Sequence, residues 1–316
     1  MSLKVTINGK VYEAQSGEYI LDVCRRNDIY VPTLCHHDGL PGLGSCRLCV
    51  VEINEGGSNK VVVSCVYPLN CDCKIYTDSE KIIGIQRTIL SMLKARAPDC
   101  EEIIFLCLHY GVRDDGRFSA LQKSFTSSCI LCGLCAQACA SLGSGATACC
   151  AISTTGRGTE KKVSTPYDES SADCIGCASC ASVCPVSAIE CTEANGKRSI
   201  WERDFSLVNC ASCGKSFATS EEYALSLKKA AAQDSGTSEG LLMLCDICKR
   251  KKAPILSRQP LERGSKGYFI LKDSNQRFAG FTEEREYFHI KISMIFFIIQ
   301  LGYNLQVNNH LIFYIH

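Results

Sequence analysis

The amino-terminal part of the chain alternates apolar and polar residues in short runs, which is the period of a β-strand. Residues 3–14 alternate on both sides of the pair Asn8-Gly9. Such a pair is typical of a type I′ turn, because both central positions of that turn need a positive φ. Residues 50–55 and 60–66 are two further apolar runs, separated by a glycine pair. The pattern predicts two β-hairpins.

Helical periods separate and follow these strands. We expect a helix after the first hairpin, capped by Ser16, with one apolar face made by Tyr19, Ile20, Val23 and Cys24. From residue 79 the apolar positions recur at helical spacing, at Ile82, Ile85, Ile89 and Met92. Pro98 predicts the start of another helix, and Gly111 predicts its end. Hairpins and helices together predict an α+β fold.

Cysteine is the residue that sets this composition apart. The 316 residues include 24 cysteines, a density that secreted disulfide proteins reach only in much shorter chains. The first residues are polar and alternating, without the apolar core of a signal peptide, so we expect a cytoplasmic protein. In a reducing compartment clustered cysteines are metal ligands. The net charge of +1 provides no general attraction to nucleic acid or to an anionic membrane.

Two copies of one cysteine motif occupy the middle of the chain. Both have the spacing C-x2-C-x2-C-x3-C, the bacterial ferredoxin pattern for [4Fe–4S] clusters. The copies are Cys129, Cys132, Cys135, Cys139 and Cys174, Cys177, Cys180, Cys184. Zinc rarely uses three cysteines at consecutive two-residue gaps.

The spacing also predicts how the two cubane clusters share these ligands. Two-residue gaps let a tightly turning backbone place three thiolates on three corners of one cubane, and the fourth cysteine reaches only the other cluster. The predicted ligands of the first cubane are Cys129, Cys132, Cys135 and Cys184. The predicted ligands of the second cubane are Cys174, Cys177, Cys180 and Cys139.

The N-terminal region carries its own set of cysteines, Cys35, Cys46, Cys49 and Cys65. The segment YVPTLCHHDGLPGLGSCRLCVVEI with Cys65 resembles the [2Fe–2S] domain of iron-only hydrogenases, of the large electron-transfer subunit of respiratory complex I and of diaphorase subunits of NAD-linked hydrogenases. The resemblance covers roughly residues 1–200 and includes the linker GRGTEKKVSTPYD between the cubane motifs. It implies a ferredoxin-like β-grasp domain in which these four cysteines hold one [2Fe–2S] cluster, without His36 or His37 as ligands.

Many proteins with this organisation carry an additional cluster between the two domains, bound by H-x3-C-x2-C-x5-C. In this chain Arg96 stands at the histidine position, Ile103 at the second cysteine and His109 at the last. Only Cys100 keeps the register, since Cys107 lies two residues short of the last ligand position. We therefore expect a structural helix here rather than a fourth cluster.

A third set of cysteines follows the cubane motifs. Two C-x2-C pairs, about thirty residues apart, are typical of a tetrahedral zinc site with four thiolate ligands, and they are Cys210, Cys213, Cys245 and Cys248. A further iron–sulfur cluster and unmetallated thiols are the alternatives. The basic run at 248–252 is expected to be a solvated helix end rather than a nucleic-acid site.

These features divide the chain into five parts. They are a [2Fe–2S] β-grasp domain (1–78), a helical connector (79–119), a double [4Fe–4S] ferredoxin-like domain (120–200), a zinc-ribbon-like module (201–256) and a tail (257–316). The tail is rich in Ile, Asn, Phe, Tyr and Lys, as expected for translated AT-rich non-coding DNA. Its apolar stretch of 12 residues is too short to span a bilayer as a helix.

The motifs within residues 1–256 supply no substrate site. There is no G-x-G-x-x-G followed by a Rossmann unit, so no nicotinamide or flavin site is visible and no catalytic residue is assigned. Iron-only hydrogenases need a large additional domain for their hydrogen-activating cofactor. The resemblance thus implies an electron-transfer subunit of a larger oxidoreductase, between a flavin/NAD(P)H subunit and a catalytic subunit of hydrogenase or formate dehydrogenase type. A freestanding ferredoxin-like shuttle and a zinc-centred interaction protein are the alternatives.

Overall fold

A computed structural model of the chain describes residues 2–113, 116–118, 128–142, 150–232 and 239–252. Its first part is a five-stranded sheet made of β1 (Ser2–Ile7), β2 (Lys10–Gln15), β3 (Val50–Asn54), β4 (Lys60–Val63) and β5 (Cys73–Tyr76). The strand order is β2-β1-β5-β3-β4, with β1 and β5 parallel and the other neighbours antiparallel. Helix α1 (Ile20–Arg26) packs its buried residues into the same core. The arrangement is a mixed five-stranded sheet with one helix packed against it, and we refer to it by the β-grasp name that the sequence predicts.

Both predicted hairpins are present. Asn8 and Gly9 have φ values of 48° and 83°, as a type I′ turn requires. Strand β5 was not predicted individually, although it joins the two hairpins by pairing with β1 on one side and β3 on the other. Because its partners lie about 20 to 70 residues away along the chain, local periodicity contains no signal for its position.

The predicted cap of the first helix is wrong. Helix α1 begins at Ile20, and its N-cap residue is Tyr19 rather than Ser16. The intervening Gly17 has a φ of 86°, and its N–H donates to the Leu69 carbonyl at 2.7 Å. This contact holds the chain in a turn beside the sheet, so the helix starts one turn later.

The helical connector consists of α2 (Glu80–Arg96) and α3 (Glu101–His109). The Ser79 side chain accepts the Ile82 N–H and so caps α2. Pro98 does not start α3, because it lies in the turn before Cys100, which is the observed N-cap. Gly111 follows the end of the helix with a φ of 62°, as predicted.

The connector, the ligand loop of the β-grasp domain and the first cubane motif share one apolar core. The Gln86 side-chain amide donates to the Leu48 carbonyl at 3.2 Å, and the Arg96 guanidinium donates to the carbonyl of Cys129. Leu43 reaches Gly133, where an added Cβ would lie 2.6 Å from Leu43 Cδ1. These contacts fix the N-terminal ligand loop directly against the first cubane motif.

We expect the substitution Gly133→Ala to weaken this contact. The glycine has a φ of 84°, so alanine adds backbone strain of about 1 kcal/mol. Its Cβ also makes the flexible end of Leu43, a side chain that is 45% exposed, turn away at a cost of about 0.5–1.5 kcal/mol. Gly196→Ala is the matched control, because Gly196 has a φ of 72° but open space around it. Urea denaturation of the metal-loaded protein should show a larger loss of stability for Gly133→Ala than for Gly196→Ala. Adding Leu43→Ala to Gly133→Ala should make that loss smaller. Equal losses at the two glycines would contradict the prediction.

The second half of the described chain contains short elements around the cubane motifs. They are α4 (Leu134–Leu142), β6 (Ser153–Thr155), β7 (Lys162–Ser164), α5 (Ser179–Ser182), β8 (Cys191–Ala194), β9 (Lys197–Ile200), β10 (Arg203–Asn209), β11 (Ser216–Thr219), α6 (Ser220–Ala232), α7 (Glu239–Leu242) and α8 (Asp246–Lys252). Strands β8 to β11 form an antiparallel sheet in the order β11-β10-β9-β8. This sheet runs continuously across residue 200, where the sequence suggested a domain boundary.

Two further expectations concern the tail and the membrane. Within the described residues, none of the helices combines the length and the apolar character needed to cross a membrane. Residues 257–316 lie outside the described part of the chain.

Candidate metal centres

The four N-terminal cysteines come together beneath the ligand loop of the β-grasp domain. Their exposed fractions are 7% or less, and they are Cys35, Cys46, Cys49 and Cys65. The Cys46 N–H donates to Cys35 Sγ at 3.2 Å. Cys65 lies in a short 3-10 turn (Ser64–Val66) that directly follows β4, and the Ser64 N–H donates to the Cys49 carbonyl at 3.0 Å. The loop and the strand end thus present all four thiols to one place.

The thiols of this set interact as two pairs. A hydrogen bond with the Cys35 thiol lowers the pKa of Cys46 to about 6, and one with the Cys65 thiol lowers the pKa of Cys49 to about 7. The pKa values of Cys35 and Cys65 are raised by the same contacts and by burial. Thiols that share protons in this way are close enough for each pair to bind one iron.

The backbone around these thiols is closely packed. A Cβ on Gly42 would lie 2.8 Å from the carbonyl oxygen of Cys65, so only glycine lets the loop approach this ligand. Arg47, between Cys46 and Cys49, has a φ of 58°, a conformation in which the chain reverses within one residue. The buried, sulfur-only donor set and the tightly turned loop fit a [2Fe–2S] cluster.

The eight cubane cysteines line two cavities, four in each. The smaller cavity has a volume of about 120 Å³ and is lined by Cys129, Cys132, Cys135 and Cys184. The larger has a volume of about 300 Å³ and is lined by Cys139, Cys174, Cys177 and Cys180. Each cavity therefore contains three cysteines of one motif and the last cysteine of the other.

Two short helices explain this exchange of the fourth cysteine. Helix α4 carries Cys135 at the smaller cavity, and one turn later it carries Cys139 at the larger. Helix α5 carries Cys180 at the larger cavity and ends before Cys184, which lines the smaller. Because the two helices pack against each other, the end of each reaches the cavity of its neighbour.

The two ligand loops repeat the same backbone conformation. Leu131 and Gly176, at equivalent positions of the first gap, have φ values of 55° and 65°. Gly133 and Ala178, at equivalent positions of the second gap, have φ values of 84° and 57°. Left-handed residues turn the chain sharply, which is how three cysteines at such short spacing face one cavity.

Burial keeps three thiols of these cavities protonated in the absence of metal. Burial raises the pKa of Cys132 and of Cys180 to about 12 and that of Cys135 to about 11. Iron must therefore displace protons when it binds. Backbone N–H groups are in place to stabilise the thiolates, since Leu131 donates to Cys129 Sγ and Ala188 to Cys184 Sγ at 3.4 and 3.3 Å. The sulfur-only cavities fit iron–sulfur clusters.

Sequence reasoning missed the residues that close the larger cavity from the C-terminal side. Trp201 lines both cavities, and Lys229 lines the larger. Arg203 donates to the carbonyl of Cys174 at 2.9 Å. Phe205 is 1% exposed and covers Gly176, where a Cβ would lie 2.5 Å from its ring. No cysteine spacing indicates these residues, because they come from the β9–β10 hairpin and from α6.

The connector helix α3 has the structural character that the sequence predicts. Ile103 and Leu106 are buried in the shared core, and the Cys107 thiol lies 3.8 Å from the Leu90 carbonyl. Arg96, at the position of the histidine ligand in the four-cluster pattern, is used in the bond to the carbonyl of Cys129.

The last four cysteines form a compact tetrad. The Sγ atoms of Cys210, Cys213, Cys245 and Cys248 all lie within 4.8 Å of one another, and this group can hold a metal ion. The Sγ atoms of Cys213 and Cys245 are 3.7 Å apart. Four thiolates at about 2.3 Å from one zinc ion lie about 3.8 Å apart in a tetrahedron. The tetrad therefore has the size of a single-ion site.

Backbone donors stabilise a thiolate in this tetrad. Burial by itself raises the pKa of Cys210, but N–H groups of Cys245, Cys213 and Ser212 reverse that effect and lower it to about 6. The Cys245 N–H donates to Cys210 Sγ at 3.2 Å. The C-x2-C turns thus prepare an anionic ligand, which is what a metal cation needs.

Comparisons with known proteins match two parts of this arrangement. Residues 1–80 match the family model of a 2Fe-2S iron-sulfur cluster binding domain. Residues 170–190, around the second cubane motif, match the model of a 4Fe-4S binding domain. A solved structure of an NAD+-reducing [NiFe]-hydrogenase in the H2-reduced state is 27% identical, covers 52% of this chain and 75% of its own, and has a TM-score of 0.41.

Curated relatives match over longer stretches. The chain is 30% identical over 215 residues to the HndD subunit of the NADP-reducing hydrogenase of Solidesulfovibrio fructosivorans, covering 59% of this chain and 36% of that protein. It is 28% identical over 184 residues to the 75 kDa subunit of the NADH-ubiquinone oxidoreductase of Reclinomonas americana, covering 52% and 26%. It is 28% identical over 106 residues to the gamma subunit of the NAD-reducing hydrogenase HoxS of Cupriavidus necator, covering 32% and 44%.

The chain thus spans less than half of the length of each of these relatives. The expected resemblance is confirmed: the homologues of this chain are subunits of NAD(P)-reducing hydrogenases and of NADH-ubiquinone oxidoreductases.

Proposed function

We propose that the chain is an iron–sulfur electron-transfer subunit of a multi-subunit oxidoreductase. It relays single electrons between a flavin/NAD(P)H subunit and a catalytic subunit of hydrogenase or formate dehydrogenase type. The hydrogenase and NAD(P) sides of this relay follow the names of the relatives, which are subunits of NAD(P)-reducing hydrogenases, whereas the flavin subunit and the formate dehydrogenase type follow from the family resemblance. We place this activity in the cytoplasm, where the many thiols stay reduced.

The exchange of the fourth cysteine between the two cavities is the observation that carries this proposal. Four cysteines line each cavity, and each set combines the two motifs in the crossed pattern of two-cluster ferredoxins. We propose the first cubane on Cys129, Cys132, Cys135 and Cys184, and the second cubane on Cys139, Cys174, Cys177 and Cys180.

The N-terminal set completes the relay. We propose that one iron of a [2Fe–2S] cluster binds Cys35 and Cys46 and the other binds Cys49 and Cys65, following the two thiol pairs. Iron–sulfur clusters, when bound, supply one-electron carriers at potentials that are low in such proteins, on the order of −400 mV. The protein's own residues bury the sulfurs and hold the N-terminal site against the first cubane site through the shared apolar core and the Gln86 and Arg96 hydrogen bonds.

We propose that the C-terminal tetrad holds one zinc ion. The 4.8 Å limit on its sulfur separations supports a single tetrahedral ion, because in a cubane each thiolate binds a different iron and the sulfurs must lie farther apart. The tetrad would then be structural: it joins the turn after β10 to helix α8 and closes the small apolar core around Leu244.

Metal analysis of protein purified without oxygen tests the whole proposal. We expect about 10 iron and an equal amount of acid-labile sulfide per chain from one [2Fe–2S] and two [4Fe–4S] clusters, with about one zinc. EPR of the dithionite-reduced protein should show three paramagnetic centres. Zinc without labile sulfide would end the electron-transfer proposal in favour of an interaction protein. An iron-loaded chain that purifies without partner subunits from its native cells would favour a freestanding shuttle.

The tetrad can be tested separately by the substitution Cys213→Ala. Cys213 is an exposed member of the tetrad, so its removal should release the single ion without removing any iron ligand. We expect the loss of about one zinc per chain, with iron and sulfide unchanged in the freshly purified protein. The control is Cys71→Ala, an exposed cysteine outside every proposed set, which should keep all metals. A loss of about four iron in Cys213→Ala would instead identify a third cubane.

A further inference from the structure

We propose that Trp201 tunes the second cubane, with its indole N–H donating a hydrogen bond to the Cys180 ligand and making that cluster easier to reduce. The Trp201 Nε1 atom lies 3.4 Å from Cys180 Sγ. This inference rests on the proposed function, since it takes the Cys180 thiolate as a cluster ligand. It assigns a positioning role to a residue outside all of the cysteine motifs.

The location of Trp201 is specific to the space between the two cubane sites. Its side chain lines the larger cavity together with Cys180 and the smaller cavity together with Cys184. It packs in the same apolar cluster as Cys135, Ile152 and Phe205. The indole thus covers both sites with apolar surface, but its single N–H is directed to a sulfur of the larger one.

The backbone at this position is unfavourable for tryptophan, which indicates that the side chain is needed there. Trp201 and Glu202 form the two-residue turn between β9 and β10, with φ values of 53° and 58°. Such turns favour Asn-Gly or Gly-Gly, and a bulky residue at positive φ costs about 1–3 kcal/mol. The β9–β10 pairing and the indole contacts hold the residue in this conformation.

Positive groups add to the hydrogen bond at the same site. Arg203, the next residue but one, donates to the carbonyls of Ser171 and Cys174 at 2.5 and 2.9 Å. Lys229 lines the larger cavity and donates to the Leu142 carbonyl at 2.8 Å. Around the smaller cavity, the donors to sulfur within the described residues include the backbone N–H groups of Leu131 and Ala188. Charge alone does not separate the two sites, because Arg96 donates to the carbonyl of Cys129 at the first cubane and Asp173 lines the larger cavity beside the second. What sets the second site apart is the side-chain N–H that Trp201 directs to a ligand sulfur.

The direction of the effect follows from electrostatics. Reduction adds one negative charge to the cluster and its thiolates, and hydrogen bonds to sulfur and nearby cations stabilise that charge. The Trp201 hydrogen bond should consequently raise the reduction potential of the second cubane above the value that the cluster has without this bond.

The test uses the fact that the chain contains a single tryptophan. Labelling the protein with indole-15N tryptophan marks Trp201 alone, so electron–nuclear double resonance of the reduced wild-type protein can identify the cluster beside it. We expect a 15N coupling on one cubane signal. The absence of any such coupling on a fully loaded protein would overturn the proposal.

The substitution Trp201→Phe then tests the tuning. Phenylalanine keeps an aromatic ring but has no N–H. In an EPR-monitored redox titration, the reduced-to-oxidised ratio of the 15N-coupled cubane at a fixed potential should fall about fivefold. This factor corresponds to the free energy of one hydrogen bond. The other cubane and the [2Fe–2S] signal should keep their potentials. Glu202→Asp is the control, because it changes the same turn while keeping both the donor and the negative charge, and it should leave all potentials unchanged.

The outcomes separate this inference from the proposed function. A protein without labile sulfide would contradict the proposed function itself. A loaded Trp201→Phe protein whose cubane potentials are unchanged, or equally shifted, would overturn only the role of Trp201. If the variant fails to retain iron, the 15N measurement on the wild-type protein decides whether the indole contacts the cluster.

Discussion

The variant Cys184→Ala should lose the first cubane, although Cys184 belongs to the second motif. The residue lines the smaller cavity with Cys129, Cys132 and Cys135, so its removal takes away a ligand from that set. About four of about ten iron atoms should be lost. The EPR spectrum of the reduced variant should match that of Cys132→Ala.

The reciprocal variant completes this test. Cys139 lines the larger cavity, and Cys139→Ala should match Cys177→Ala and not Cys132→Ala. Cys191→Ala is the control for the loss of a half-buried thiol near this site, and it should keep both cubane signals. If Cys184→Ala resembled Cys177→Ala instead, each motif would hold its own cluster and the crossed assignment would be wrong.

Removal of iron should unfold the cubane region while much of the β-grasp core survives. The two cavities have volumes of about 120 and 300 Å³ and adjoin the small third core cluster. Cluster binding therefore supplies most of the folding free energy of this region, as metals do in small domains, where they contribute about 10–16 kcal/mol. Amide exchange at residues 174–190 should accelerate about 10³-fold or more after chelation.

The sheet of the N-terminal domain provides the internal control for that experiment. Strands β1 and β2 and helix α1 pack in an apolar core that includes Val5, Ile20 and Val51, all at 0% exposure. Their amides should keep most of their protection in the iron-free protein. Equal loss of protection across residues 2–26 and 174–190 would show that the chain unfolds as one unit and would contradict the prediction.

The cysteine sets and the hairpins are the features that the sequence makes predictable. Spacing alone places Cys129, Cys132 and Cys135 together, because three ligands within seven residues leave the backbone few conformations. The pair Asn8-Gly9 likewise predicts its turn, since both residues accept a positive φ. In each case the interacting groups are close along the chain, so the local residue pattern is enough to predict the local structure.

Contacts between distant segments were not predictable in this way. Trp201 lies 21 residues from Cys180 along the chain, and its turn contains neither Asn nor Gly. The start of α1 depends on the hydrogen bond between Gly17 and Leu69, and no local sequence pattern predicts this contact. The sequence also did not predict that one sheet continues across residue 200, because β8–β9 and β10–β11 each look like an independent hairpin.

Strand β10 connects two sites that contain different metals in our proposal. Near its start, Arg203 and Phe205 support the loop of the second cubane; directly after its end, Cys210 belongs to the tetrad. The two ends of the strand are about 20 Å apart at the rise of a β-strand. Under the zinc assignment, scarcity of zinc in the cell would loosen the support of the second cubane without removing any iron ligand. The supply of a metal that carries no electrons would then influence how long the electron-carrying chain remains intact.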